Sequence, residues 1–424
     1  MDFYNREKSE LAEMLKQENR IYEGFIKEKV SLDMSRGKPC SEQLDLSLPM
    51  LDILSRKFKS PGKIDLRNYG LIDGIPELKQ LFAELFETAS EEIIVGGNSS
   101  LNMMYDAIQR FLQFGVNGKP PWNSLKKVKF ICPAPGYDRH FAILEKFGIE
   151  MITVPMIASG PEMSLIEKIA AFDESVKGIW CVPRFSNPEG IVYSDETVTR
   201  LANMKTAASD FVIMWDNAYF IHDLYENAPK LKNILAECKE AGYPDRAYLF
   251  GSTSKITFAG AGIAFMASSV NNIEETKKHL SIQTIGPDKM NQYAHYEFLK
   301  SVANIKEHMK RHAEIIRPKF ELVIDSFRSN FSNTDLVCWI EPKGGYFISL
   351  NVMDGCAKRT IDLCKKAGLI LTPAGSTYPL KLDDRDSNIR IAPTLPPLEE
   401  LRKACQILVC CIKISMLEKL IKNK

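Results

Sequence analysis

The chain has 424 residues, of which 45% are hydrophobic and 26% charged, and a formal net charge of +1 at pH 7. That length suggests two domains and that composition a globular protein, while Lys and Arg interspersed with Asp and Glu leave no basic stripe for a nucleic acid. No run of about eighteen apolar residues offers a membrane span, and the ten cysteines, scattered without a C-x-x-C pair, read as buried free thiols of a reducing compartment, the cytoplasm.

The N-terminal stretch MDFYNREKSELAEML has no apolar run behind a basic start, so it is not a secretory leader. The first thirty residues read as a polar helix with Leu11, Met14 and Leu15 on one side, expected to dock on a core elsewhere. Glycine-bearing loops follow at SRGKP (35–39) and NYGLIDGIPELK (68–79). GGNSSLNMMYDAI (96–108) then sets glycines and hydroxyls before a helical pattern. Free N–H groups and the dipole at such a helix start bind phosphate, although Asn and Ser are also ordinary caps.

Apolar runs of strand length follow: VKFICPAPGY (128–137), IEMITVPM (149–156), KGIWCVPRFSNPEG (177–190), FVIMWDNAY (211–219), AYLFGSTSK (247–255) and GIAFMASS (262–269). Helical segments such as YDRHFAILEKFG and DETVTRLANMKTAAS separate them. The alternation predicts an α/β domain with a largely parallel sheet between helices, its ligands beyond the carboxyl ends of the strands. From about 300 a long charged helix (297–329) leads into VCWIEPKGGYFISL, KAGLILTPAGSTYPL and SNIRIAPTLPPLEELRKACQILVCCIKI. These read as a smaller strand-and-helix domain closed by an amphipathic helix after Pro397. The expected division is an arm at 1–48 joining the small domain, a large domain at 49–309 and the small domain at 310–424. In EHMKRH, His308 and His312 share a helix face, but Met309 replaces the glutamate of a zinc motif, and Lys310 and Arg311 indicate a solvated basic face, not a metal site.

Three strand ends carry the chemistry. Lys255 is the only charged residue between Arg246 and Glu274, set in GSTSKITFAGAG. A desolvated amine has a lowered pKa and becomes a nucleophile, whereas a lysine at a loop edge keeps its head in water. Asn187-Pro188-Glu189-Gly190, Asp216 with Tyr219, and Ser252, Ser254 and Lys255 follow one another at about one strand–helix unit, so all three can face one crevice. Together they match the demands of pyridoxal phosphate: a lysine for the Schiff base and a carboxylate, Asp216, opposite the ring nitrogen. Asn187 and Tyr219 supply donors for the phenolic oxygen, and Asn98, Ser99 and Ser100 with Ser252 and Ser254 a phosphate cup. Tyr137 in PAPGYDRH supplies a ring to stack on, and His140 beside it is as readily structural.

At this point the sequence resembles the fold-type I pyridoxal-phosphate enzymes of the class I aminotransferase group. N-P-x-G at 187–190, D-x-A-Y at 216–219 and S-x-S-K at 252–255 come in that family's order. Tyr69 and Gly74 resemble its Y-x4-G segment, whose tyrosine reaches the phosphate of the neighbouring subunit's cofactor, which implies a homodimer with shared sites. Arg390 in SNIRIAP resembles the arginine that clamps the substrate α-carboxylate, a bidentate task suited to guanidinium. SRGKP, with Arg36 and Gly37, resembles the glycine loop at the substrate mouth. The S-K-I-T-F-A-G-A-G loop, the R-G-K-P start and the G-G-N-S-S loop are similar to a subgroup of aspartate aminotransferases. One departure stands out: the arginine expected eight residues after the lysine is Ile263.

The resemblance implies a seven-stranded-type, mainly parallel sheet in the large domain and a smaller α+β domain. It implies catalytic roles for Lys255, Asp216 and Tyr219, and ping-pong transfer from an amino acid, aspartate by the closer likeness, to a 2-oxo acid such as 2-oxoglutarate. Arg36 and Lys289 are candidates to read a substrate side-chain carboxylate. A pyridoxal-phosphate lyase or decarboxylase of the same fold is the alternative. A transcription regulator with an aminotransferase-like ligand domain is a second, for which the thirty residues ahead of the family-like sequence are too few to hold a winged-helix module.

Overall fold

Strand alternates with helix through the middle of the chain, as the apolar runs require. The computed structural model describes residues 6–55 and 64–424, so the first five residues of the acidic N-terminal stretch lie outside it. Eight strands build the large sheet: β1 (Ile93–Val95), β2 (Lys129–Ala134), β3 (Glu150–Ile157), β4 (Gly160–Pro161), β5 (Val176–Cys181), β6 (Val212–Asp216), β7 (Ala247–Ser252) and β8 (Ala264–Ala267). Their order across the sheet is β1-β8-β7-β6-β5-β2-β3-β4. Pairs β3–β2–β5–β6–β7 are parallel, and β5 and β6 are buried along their whole length because helices cover both faces.

The mainly parallel sheet is as expected, but GIAFMASS runs the other way: β8 is antiparallel to both β7 and β1. A parallel return needs a crossover of about a dozen residues or more, usually a helix. The link 253–263 holds only turns, so the chain doubles back, and Lys255 lies in that link.

A second, three-stranded antiparallel sheet is formed by β9 (Cys338–Trp339), β10 (Ile348–Asn351) and β11 (Asn388–Ile391). Helix α1 (Lys8–Glu28) docks beside it and gives Leu11, Tyr22 and Phe25 to its core, and Leu32–Asp33 pairs in parallel with Leu369–Ile370. Burying each such side chain is worth roughly 1.5–3 kcal/mol, which is what fixes an otherwise polar helix.

The long charged helix expected at 297–329 is two helices, α5 (Lys289–Leu299) and α6 (Val302–Phe331). Lys300 takes a left-handed φ of 57°, and Ser301 Oγ caps α6 by accepting from Asn304 N. Helix α6 joins the two cores: Ile305 and Met309 pack under the large sheet, Phe320, Val323 and Phe327 under the small one. His308 and His312 are correspondingly buried, while Glu307, Lys310 and Arg311 face outward, which corrects the solvated reading of the histidines. The last helix, α8 (Leu398–Asn423), is likewise not amphipathic. It packs against α1, α6 and α7 (Ala357–Lys366), so it is buried nearly all round from Leu401 to Leu420. All ten cysteines are free, and Cys338, on the short strand β9, is exposed, unlike the buried remainder. Among the described residues no helix is long and apolar enough to cross a membrane.

Candidate active site

The carboxyl ends of β5, β6 and β7 open on a cleft of about 1130 Å³ between the two sheets. Ten of the residues singled out in the sequence line it: Arg36, Gly37, Ser100, Tyr137, Asn187, Asp216, Tyr219, Ser252, Lys255 and Arg390. The topology explains the gathering, since successive parallel strands end on the same side.

Burial pushes the Lys255 amine below the ordinary lysine pKa, and the Asp216 carboxylate offsets that only in part. Its Nζ lies 5.0 Å from the ring centre of Tyr219 and 5.8 Å from that of Tyr346. This is the restricted amine, not the loop-edge one.

Asp216, 3% exposed, ends β6. Its Oδ2 lies 2.9 Å from His140 Nε2, while its Oδ1 is buried with no hydrogen-bond partner among the described residues. The His140 ring stacks on Trp180 at 4.1 Å and 7°, and meets Tyr137 edge-on at 5.0 Å. Sequence reasoning left His140 without a role. The signal available was its position three residues after Tyr137 in a helix, α4 (Asp138–Lys146), which turns it to the same side. Burial raises the pKa of both Tyr137 and Tyr219, so both hydroxyls stay protonated and able to donate.

The hydroxyls meet the start of helix α3 (Ser100–Phe114). Ser252 Oγ donates to Ser254 Oγ at 3.0 Å, and Ser254 Oγ to the Asn98 carbonyl at 3.4 Å. Asn98 Nδ2 donates to the Gly260 carbonyl, and Ser99 caps the helix by accepting from Asn102 N. Loop and helix start therefore form one cup with N–H groups at its base.

Opposite, Arg390 is 8% exposed. Nη1 lies 3.2 Å from Asp138 Oδ1 and 3.3 Å from Asn187 Oδ1, Nε and Nη2 donate to Thr372 Oγ1, and the Phe347 ring packs 4.9 Å away. Gly37 closes on the same ring: a Cβ there would stand 2.6 Å from Phe347 Cζ. Gly37→Ala should therefore press Phe347 onto the guanidinium at a cost of roughly 1–3 kcal/mol. The apparent KM for an amino donor should rise about five- to 150-fold; an unchanged KM would mean that Phe347 swings clear.

Three positions lie elsewhere. Tyr69 is 79% exposed and outside the cleft. Lys289 is buried with its Nζ donating to the Gly70 carbonyl at 3.0 Å, so within one chain it does not line the cleft, whereas exposed Arg36 does and forms no ion pair among the described residues. Ile263 is sealed in the core, and its N–H is taken by Thr253 Oγ1.

Residues 7–424 match the model of a protein family described as aspartate amino-transferase. The chain belongs to the aspartate aminotransferase family. This transaminase is 42% identical, over 94% of its length and 93% of the relative's, to the aspartate aminotransferase of Corynebacterium glutamicum. The crystal structure of an aspartate transaminase from that organism matches it with a TM-score of 0.95 at 40% identity, covering 98% of this chain and 99% of the other. The α-aminoadipate aminotransferase of Thermus thermophilus, solved in complex with N-(5'-phosphopyridoxyl)-L-leucine, shares the fold at 20% identity and a TM-score of 0.75, covering 93% of this chain and 94% of that one.

The donor set of this aminotransferase suits the cofactor that the sequence resemblance implies. A carboxylate oxygen buried without a partner, Asp216 Oδ1, is costly unless a cationic donor meets it. A desolvated amine and an anion cup at a helix start share its cleft.

Proposed function

We propose that this aminotransferase holds pyridoxal 5'-phosphate in the cleft and moves the amino group of L-aspartate to 2-oxoglutarate in a ping-pong sequence. The observation that carries the reading is the desolvated Lys255 amine sharing a cleft with the unpartnered Asp216 Oδ1. The name of the 42% identical relative supports aspartate as donor.

When bound, the cofactor supplies an electron sink for the carbanion at the substrate Cα. Lys255 would supply the amine that holds the cofactor and, when free, the general base that takes the substrate α-proton. Asp216, oriented by His140, would keep a proton on the cofactor's ring nitrogen. Tyr219 and Asn187 would donate to its phenolic oxygen, and the Tyr137 ring would offer a face to stack on. Asn98, Ser99, Ser100, Ser252 and Ser254 hold the phosphate through N–H groups and hydroxyls, which offsets the missing arginine at Ile263.

Arg390 clamps the substrate α-carboxylate, Gly37 lets the mouth loop approach, and Arg36, exposed on the rim, reads the side-chain carboxylate. Tyr69, exposed outside its own cleft, suits a homodimer in which it serves the second subunit. The division at 1–48, 49–309 and 310–424 and a cytoplasmic setting belong to the same reading.

Initial rates with varied aspartate and 2-oxoglutarate should give parallel double-reciprocal lines. Intersecting lines would remove the ping-pong sequence, and release of ammonia and pyruvate without an oxo acid would replace transfer by lyase chemistry. Arg390→Ala removes a buried, hydrogen-bonded cation, so kcat/KM for any α-amino acid should fall by about 2–5 kcal/mol, roughly 30- to several thousand-fold. A change below threefold would take Arg390 out of the clamp.

A further inference from the structure

Several buried polar side chains beside the cleft have no part in the chemistry above. His222, 2% exposed, follows β6 in the turn after Tyr219, and its Nε2 lies 3.3 Å from the Lys255 carbonyl. His308 on α6 places Nε2 2.7 Å from the next carbonyl, that of Ile256. Two imidazoles from separate elements thus meet two consecutive carbonyls at the lysine.

Those carbonyls need outside donors because the chain makes only a single turn there. Ile256 N and Thr257 N both bond back to the Thr253 carbonyl, and no helix continues to supply partners for the Lys255 and Ile256 oxygens. His222 Nδ1 is buried with no partner among the described residues, which leaves Nε2 as its protonated nitrogen. Burial lowers the pKa of both rings, so each stays a neutral imidazole at physiological pH.

His312 packs edge-on behind His308, ring centres 4.6 Å apart. Gln43 Nε2 donates to His312 Nδ1 at 3.0 Å and to Tyr346 Oη at 2.9 Å, which puts the His312 proton on Nε2, so while His308 Nε2 donates to Ile256 the two imidazoles pack against each other without a hydrogen bond between them. Gln43, fully buried, sits on the short helix α2 (Ser41–Asp45), just beyond the Arg36–Gly37 mouth loop, and the Tyr346 ring is one of the two flanking the Lys255 amine. The chain of contacts therefore runs from the mouth loop to both sides of the lysine.

We propose that His222 and His308 are positioning residues that pin the Lys255–Ile256 carbonyls and so hold the Lys255 amine in register with Asp216, with the His312 ring packed behind His308. The proposal rests on the role given to Lys255 above. A misplacement of about 1 Å costs on the order of a hundredfold in rate, which sets the scale of the effect.

The test compares Leu and Asn at each position, which lose the donor or its reach, with Gln, which keeps an N–H donor near the place of Nε2. His222→Leu and His308→Leu should lower kcat about 10- to 100-fold with the apparent KM for the amino donor changed less than about threefold. The Gln variants should recover to within about threefold of the parent. If a Leu variant fails to fold, the Asn variant of the same residue is compared with Gln instead.

A second readout uses the cofactor-free protein: the rate at which trinitrobenzenesulfonate labels Lys255, mapped by mass spectrometry. It should shift at least about threefold in the Leu or Asn variants and not in the Gln variants. Folded Leu or Asn variants with the parent kcat and labelling rate, or Gln variants as impaired as Leu, overturn the proposal. An unsubstituted protein that transaminates normally while Lys255→Ala does so too would instead remove the role of Lys255 itself.

Discussion

Lys255→Ala should fold normally and lose transamination by at least about 10⁴-fold, because the substitution removes both the covalent anchor and the general base. The amine sits among small and apolar neighbours, and desolvation holds its pKa below the ordinary lysine value. The neutral, nucleophilic form is therefore the major one at a lower pH than for a surface lysine. Cofactor attachment should accordingly speed up as pH rises, with a midpoint below that of an ordinary lysine. Lys255→Arg, which cannot deprotonate, should be as inactive as Ala. Turnover in either variant within tenfold of the parent would show that another group does this work.

Asp216→Asn should lower kcat by about 10²–10³-fold or more while the protein still takes up cofactor. The substitution keeps size and shape but removes the charge that an uncompensated cationic ring needs, and leaving such a charge unpaired in a buried site costs roughly 3–5 kcal/mol. Asp216→Glu keeps the charge but moves it, so an intermediate loss is expected. The geometry adds a check, because His140 contacts only Oδ2 and leaves Oδ1 free. His140→Ala should thus cost less than Asp216→Asn in kcat. If Asp216→Asn retained more than a tenth of the parent activity, Asp216 would not be the ring partner.

Much of the site was legible because parallel strands place their carboxyl ends together: once 177–190, 211–219 and 247–255 read as strands, Asn187, Asp216 and Lys255 had to share a cleft. What the sequence concealed has physical reasons. Apolar runs carry no strand direction, so the reversal of β8 appears only with the short link that forces it. Periodicity turns His308 and His312 to one side of α6, but the charges of Lys310 and Arg311 on other sides of that helix gave the histidines the wrong environment. Helix α8 carries enough polar residues to suggest a wet face, yet α1 arrives from the far end of the chain to cover it. The pairing of His140 with Asp216 joins residues 76 positions apart and depends on the order of strands in the sheet, which local pattern cannot supply.

The most direct measurement is the visible absorbance spectrum of the purified protein with pyridoxal phosphate, taken before and after aspartate and then after 2-oxoglutarate. A yellow band that bleaches with aspartate and returns with the oxo acid is the expected result, and it would be absent in Lys255→Ala. No visible band in the parent protein, even with added cofactor, would contradict the role assigned to Lys255 and with it the reading of the cleft.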